Sequence, residues 1–174
     1  MQELLDKEAI RQVVLRYCRG VDRADAELIA SAYHPDAVDE HGGARYTGET
    51  VGAGIVELTS SSRVTMHHVT NQLIELLGPD RAASETYFTV WQTMDRGGAE
   101  HTLHALGRYV DRMERRGGEW RIAHRLVIVE FTRLLPPSDD MAPSAPGLGR
   151  RDRHDPSYEV LAPPSVSGAK WQAR

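Results

Sequence analysis

Cysteine occurs once, at Cys18, in a chain of 174 residues, and this excludes an internal disulfide framework. No stretch is apolar for long enough to cross a bilayer. The opening Met-Gln-Glu-Leu-Leu-Asp-Lys is a charged helix start and not a signal peptide. A cytoplasmic location is therefore expected, with no membrane partner. There is no excess of basic charge: the net charge is -4. Phosphate binding needs a basic surface, so nucleic acid is not an expected partner. The eight histidines show no ligand spacing. His101 and His104 are three apart on a predicted strand and fall on opposite faces, so no metal is expected. The Gly-Gly pairs sit in turns, not in a phosphate loop after a strand, and no cofactor is expected.

What is present is the composition of one ordinary globular domain, 40% hydrophobic and 26% charged. Residues 3–22 carry an apolar stripe at three- and four-residue steps, including Ile10, Val13, Val14, Tyr17, Cys18 and Val21, which predicts a helix. Gly20 fits a terminating region. Asp25 can cap a short second helix that stops before Pro35. Ala37–Tyr46 reads as a short strand and loop around Gly42-Gly43, and Thr50–Ser60 as a third helix. Four long β-type stretches follow, near 64–77, 81–95, 100–115 and 119–134, parted by Gly78-Pro79-Asp80, Asp95-Arg96-Gly97-Gly98 and Arg116-Gly117-Gly118. Helices first and long strands after predict an α+β fold. Strands of that length should twist and curl into a cone around a pocket. The domain is expected to span 1–135. From 136 to 174, Pro, Ser, Gly and charge dominate, and the expectation is an extended or partly disordered tail, with Tyr158, Val160, Leu161 and Trp171 able to pin parts of it.

Four residues stand out as chemistry: Tyr17, Asp22, His67 and Arg125. An acid/base pair with a phenol and a guanidinium can remove a proton and expel an oxygen unaided. Strand alternation puts His67 and Asn71 on one face and His68 on the other, so only one of the two adjacent histidines can enter a pocket. On the last strand the same rule groups Arg125, Val127 and Val129 and places Trp120, Ile122, His124 and Leu126 opposite. Asn71, Tyr87, Trp91 and His104 are candidate substrate-binding residues, the two aromatics as an apolar wall and His104 as a proton donor. Structural readings stay open beside these. His67 can be a buried strand histidine, Asp22 a turn carboxylate paired with Arg19 or Arg23, Tyr17 core, and Arg125 an outward residue paired with Glu130 or Asp111.

The landmarks Tyr17…Gly20-Val21-Asp22-Arg23, Tyr33-His34-Pro35-Asp36, His67-His68-Val69-Thr70-Asn71, Gly107-Arg108-Tyr109 and Glu119-Trp120-Arg121…Arg125 together resemble the SnoaL-like branch of the nuclear transport factor 2-like superfamily. Within it the pattern is similar to scytalone dehydratase, hexachlorocyclohexane dehydrochlorinase and bile-acid 7α-dehydratase. The resemblance implies a cone-shaped barrel, usually a dimer or trimer, with a small-molecule substrate. It also implies an Asp–His dyad at Asp22 and His67, with Tyr17 and Arg125 assisting. The expectation is a cofactor-independent dehydratase, cyclase or isomerase acting on an apolar carbonyl compound such as a polyketide, steroid or terpenoid intermediate. A non-catalytic ligand carrier or small subunit of a ring-hydroxylating dioxygenase is the alternative, and an epoxide hydrolase the third reading.

Overall fold

The computed structural model describes residues 1–137 and 149–161. The helices α1 (Gln2–Asp22) and α2 (Ala26–Ala30) lead into β1 (Tyr33–His41) and β2 (Ala44–Thr47), then α3 (Val51–Leu58). Four long strands follow: β3 (Ser62–Leu76), β4 (Arg81–Arg96), β5 (Ala99–Arg116) and β6 (Glu119–Leu135). All six strands form one sheet in the order β2-β1-β6-β5-β4-β3, antiparallel except where β1 runs parallel to β6. The hairpin glycines adopt the positive φ that the tight turns demand, +70° and +83° at Gly97 and Gly98 and +61° and +87° at Gly117 and Gly118. The sheet is curled and open, and α1 lies along its concave side, giving the expected α+β cone. The buried apolar stripe of α1 begins at Ile10; Leu4 and Leu5 precede it and are exposed.

Gly20 has a different task from ending a helix. The helix runs on through it to Asp22. A Cβ at Gly20 would lie 2.8 Å from the Ile29 backbone nitrogen and 2.7 Å from its Cγ1, so the missing side chain is what lets α2 press against α1. The turn between them passes through Ala24 at φ +51°. Asp25 then caps α2, accepting a hydrogen bond from the Leu28 N–H at 3.1 Å. This close crossing fixes where Asp22 emerges.

Bulges decide which side chains enter the cone. Between Val69 and Gln72 the pairing of β3 with β4 slips, and buried positions move from odd to even numbers. Between Ile122 and His124 β6 slips against β5, skipping Ala123. Trp120, Ile122, Arg125 and Val127 are consequently all buried on the inner side, whereas strict alternation separates the first two from the last two. His124 faces away and pairs with Glu40 at 3.0 Å, and the Trp120 indole N–H donates to Asp6 Oδ1 at 3.0 Å.

Residues 149–161, within the segment read from sequence as a tail, dock on the α1–α2 junction and end in α4 (Ser157–Leu161). The Tyr158 hydroxyl donates to Asp25 Oδ2 at 2.6 Å, and Arg153 donates to Asp25 Oδ1 at 2.9 Å. Arg23 lies 3.5 Å from Asp155 and donates to the Arg150 carbonyl. Tyr158 thus supplies an anchor, while Val160 and Leu161 are exposed; Trp171 lies outside the described residues.

Gly20→Ala is expected to lose about 1–3 kcal/mol of unfolding free energy by forcing the two helices apart, measurable by urea denaturation. The docked segment should also respond to acid. The Ser157 hydroxyl, with the Arg150 and Ser157 backbone N–H groups, holds Asp155 down at about 2. A carboxylate lowered in the folded state stabilises docking above its unfolded value, about 3.9, and that contribution is lost as pH falls toward about 2. The Ser157 and Tyr158 amide resonances are expected to hold their shifts at neutral pH and move only in that acid range.

Candidate active site

The cone encloses a cavity of about 280 Å3 between α1, α3 and the concave sheet. Its walls are mostly apolar, from Val21, Ile55, Phe88, Val90, Leu103, Ala105 and Val127, with a few polar groups among them: Tyr17, His41, Thr65, His67, Gln92 and Tyr109. That mixture suits a small, largely apolar ligand oriented by a few polar contacts.

His67 and Asp22 meet at the edge of this cavity. Asp22 is the last residue of α1, and His67 lies in the inward register of β3 before the bulge. His67 Nδ1 is 2.6 Å from Asp22 Oδ1, and the His67 backbone N–H donates to Asp22 Oδ2 at 3.0 Å. A carboxylate only accepts, so Nδ1 carries a ring proton, and the tautomer this selects has its lone pair on Nε2. The side chains are 8% and 12% exposed, so the pair is largely withdrawn from water. His67 lines the cavity and Asp22 stands behind it, over a shallow outer groove shared with Cys18, Arg19 and Arg23. This is the layout of a base held in one tautomer by a carboxylate. Neither Arg19 nor Arg23 pairs with Asp22 among the described residues: Arg19 bonds Ser157, and Arg23 goes to Arg150 and Asp155.

Tyr17 lines the cavity and packs edge-on against Tyr33 and Tyr109, with centroids 5.9 and 5.6 Å away. Burial pushes its hydroxyl well above the usual phenol range, so it is a neutral donor at ordinary pH. Phe88 stacks on Tyr109 at 4.3 Å and extends the apolar wall toward His67.

Arg125 does not line the cavity. It is fully buried, makes two bonds to Asp111 at 2.8 and 2.7 Å, and places its guanidinium 4.4 Å from the Tyr17 ring centroid and 4.1 Å from that of Tyr109. Its pairing with Asp111 follows from cross-strand register, since the two are direct partners on β5 and β6. The expected role in touching substrate is therefore corrected. Arg125 sits beneath two tyrosines, and a cation there polarises the floor without reaching a ligand.

The four predicted substrate contacts lie elsewhere. Asn71 falls in the β3 bulge, exposed, with its carbonyl bonded to the Thr70 hydroxyl. Tyr87 and Trp91 point to the outer face of β4, where even-numbered residues face inward. His104 is on the same outer face, stacked on Trp91 at 4.0 Å and 2.7 Å from the Thr89 hydroxyl. Parity grouped Tyr87 with Trp91 correctly but could not say which side was the hollow.

Three contributors escaped the sequence reading. His41 and Asp39 share the inner face of β1, the first lining the cavity. Arg151, from the docked segment, donates to the Thr59 carbonyl at 2.9 Å and to the Val21 carbonyl at 3.3 Å, and also to the Thr59 hydroxyl. It thereby ties together the C-terminal ends of α1 and α3, where a cation opposes the negative helix end, and closes the rim beside Asp22. The signal for His41 and Asp39 was available as a two-residue spacing on a strand ahead of a Gly-Gly turn. Nothing local marked Arg151. Among the described residues no group of three His, Cys, Asp or Glu side chains is placed to hold a metal ion, and no helix is long and apolar enough to cross a membrane.

Solved structures with the same fold include a hexachlorocyclohexane dehydrochlorinase, LinA type 2, at 20% identity and TM-score 0.74, covering 82% of this chain and 97% of that one. A scytalone dehydratase-like protein from Novosphingobium aromaticivorans aligns at 18% identity and TM-score 0.66, over 82% of this chain and 100% of its own. An aromatic ring hydroxylase candidate, also from Novosphingobium aromaticivorans, aligns at 20% identity and TM-score 0.63, over 76% and 94%. No curated protein matches the chain in sequence. The SnoaL-like domain model matches residues 2–126, most of the described body, and the chain belongs to that family.

Proposed function

We propose that the protein is a lyase or isomerase that works by acid/base chemistry on a small, apolar, carbonyl-bearing molecule such as a polyketide, steroid or terpenoid intermediate. The observation that carries this reading is the buried contact between His67 Nδ1 and Asp22 at 2.6 Å, with the ring facing an apolar hollow. A ligand carrier has no use for a desolvated carboxylate–imidazole pair, and the dehydrochlorinase and dehydratase-like neighbours favour elimination.

In this reading the Nε2 lone pair of His67 accepts a proton from the carbon beside the substrate carbonyl. Asp22 stabilises the imidazolium that forms and keeps the ring from turning. The Tyr17 hydroxyl donates to the oxygen on which negative charge grows. Arg125 acts one layer below, holding Tyr17 and Tyr109 in place by stacking. The apolar walls exclude water and so strengthen each of these contacts.

A test that needs no knowledge of the natural substrate uses nitrobenzisoxazole, whose ring opens when a base takes its carbon-bound proton. His67→Ala is expected to lower kcat/KM for this probe by about 100-fold or more while the circular dichroism spectrum is unchanged, the usual worth of a positioned base. Asp22→Asn should fall in the same direction. Full turnover by a folded His67→Ala protein would remove the dyad from the mechanism. Arg125→Met is expected to lower unfolding free energy by about 3–5 kcal/mol, because Asp111 is left as an uncompensated buried charge, an effect visible in thermal melts.

A further inference from the structure

The cavity has a second imidazole. His41, at the end of β1, lines the same hollow as His67, and the two come from strands separated in the sheet by β6, β5 and β4, so the curl of the sheet brings them to one space from different sides. Behind His41 lies Asp39, fully buried on the same face of the strand. His41 Nδ1 is 3.5 Å from Asp39 Oδ1. The other carboxylate oxygen, Oδ2, accepts a hydrogen bond from the Tyr33 hydroxyl at 2.6 Å. Asp39 Oδ1 and His41 Nδ1 are both buried with no hydrogen bond among the described residues, and so is Arg125 Nη1.

A pair kept only for stability would be closed. An unspent buried donor or acceptor costs about 1–3 kcal/mol, and a carboxylate beside an imidazole at 3.5 Å has the partner it needs within a small movement. Contacts of this length are common at catalytic groups before ligand binds and shorten when it does. Burial raises Asp39, but His41, Arg125 and Tyr33 together hold it below the usual carboxylate range, so it is an anion facing the ring. Nδ1 is turned to that anion, which leaves Nε2 as the nitrogen available to a substrate.

We propose that His41, braced by Asp39, is the general acid of this cavity and works opposite His67. This rests on the elimination chemistry proposed above. His67 Nε2 takes the proton from the carbon beside the carbonyl, and the electron pair of that C–H bond becomes the new C=C bond. The bond from the neighbouring carbon to its hydroxyl oxygen breaks. That oxygen takes the proton from the His41 imidazolium and departs as water. His41 is left neutral and His67 protonated, and one proton passed from His67 to His41 through solvent resets the site. Asp39 is a positioning residue, since it reaches the substrate only through the ring.

The acid role can be read apart from the base role, with para-nitrophenol as an oxyanion probe. A cavity imidazolium should bind it as the phenolate, with the phenolate absorption band appearing at pH values where the free phenol is neutral. His41→Gln is expected to weaken binding at least tenfold and abolish that band, and Asp39→Asn should shift both in the same direction if His41→Gln fails to fold. Absence of saturable binding to the unmodified protein, or an unchanged band in the folded His41→Gln or Asp39→Asn protein, would overturn the acid assignment. Failure of the base assignment would appear separately, as undiminished nitrobenzisoxazole turnover in His67→Ala.

Discussion

One carboxylate takes two hydrogen bonds from one residue, and the site is organised by that contact. Asp22 accepts both the backbone N–H and the ring N–H of His67. The first bond fixes the strand against the end of α1, and the second fixes the ring. Helix energetics do not favour this placement. The last turn of a helix carries the negative end of its dipole, and an anion there is unfavourable by roughly 0.3–1 kcal/mol. Hydrogen bonds to a charged acceptor offset that, at about 1.5–3 kcal/mol each. Arg151, stretched across the rim from the docked segment, adds positive charge nearby. Asp22 is thus a position where local helix preference yields to the geometry of the pair.

The interior behind the cavity is built around a second constraint, a buried cation with more anions than it can match singly. Arg125 bonds Asp111 on two atoms, and its Nη1 has no hydrogen-bond partner among the described residues. Asp39 lies on the same inner layer, tied to Tyr33. The rings of Tyr17 and Tyr109 lie 4.4 and 4.1 Å from the guanidinium, close enough to share its charge. A charge withdrawn from water this completely is held only if its partners stay in place. Cavity floor and buried ion pair are therefore one mechanical unit, and the phenol of Tyr17 inherits its rigidity from below.

Much of this was readable in the sequence, for identifiable reasons. The strand spans follow from hairpins that only glycine at positive φ can form, so their ends were marked by residue type. Asp25 announced its helix by capping chemistry. Alternation set His67 and His68 on opposite faces, and the family resemblance, not parity, pointed to His67 as the inward one. The misplaced residues have separate causes. Alternation assumes an unbroken ladder, and the bulges near Val69–Gln72 and at Ala123 each shift it by one. Asn71 was lost at the first, and the inner row of β6 was split wrongly at the second. Tyr87, Trp91 and His104 fell on the outer side because parity groups residues without naming the buried face. Arg125 was found as a residue, and Asp111 was among the partners read for it, but the pair was misjudged in depth: it is buried, not outward. The contribution of Arg151 depends on a contact between positions about 90 to 130 apart, for which a single sequence carries no local mark.

The account stands or falls on the protonation and immobility of one ring. Imidazole nitrogen NMR on the full chain at neutral pH measures both. The prediction is a slowly exchanging proton on Nδ1 of His67 and an unprotonated Nε2, with that proton lost to rapid exchange in Asp22→Asn. A His67 ring protonated on Nε2 instead, or one whose Nδ1 proton exchanges as fast with Asp22 present as without it, would contradict a carboxylate-held base at the wall of this cavity.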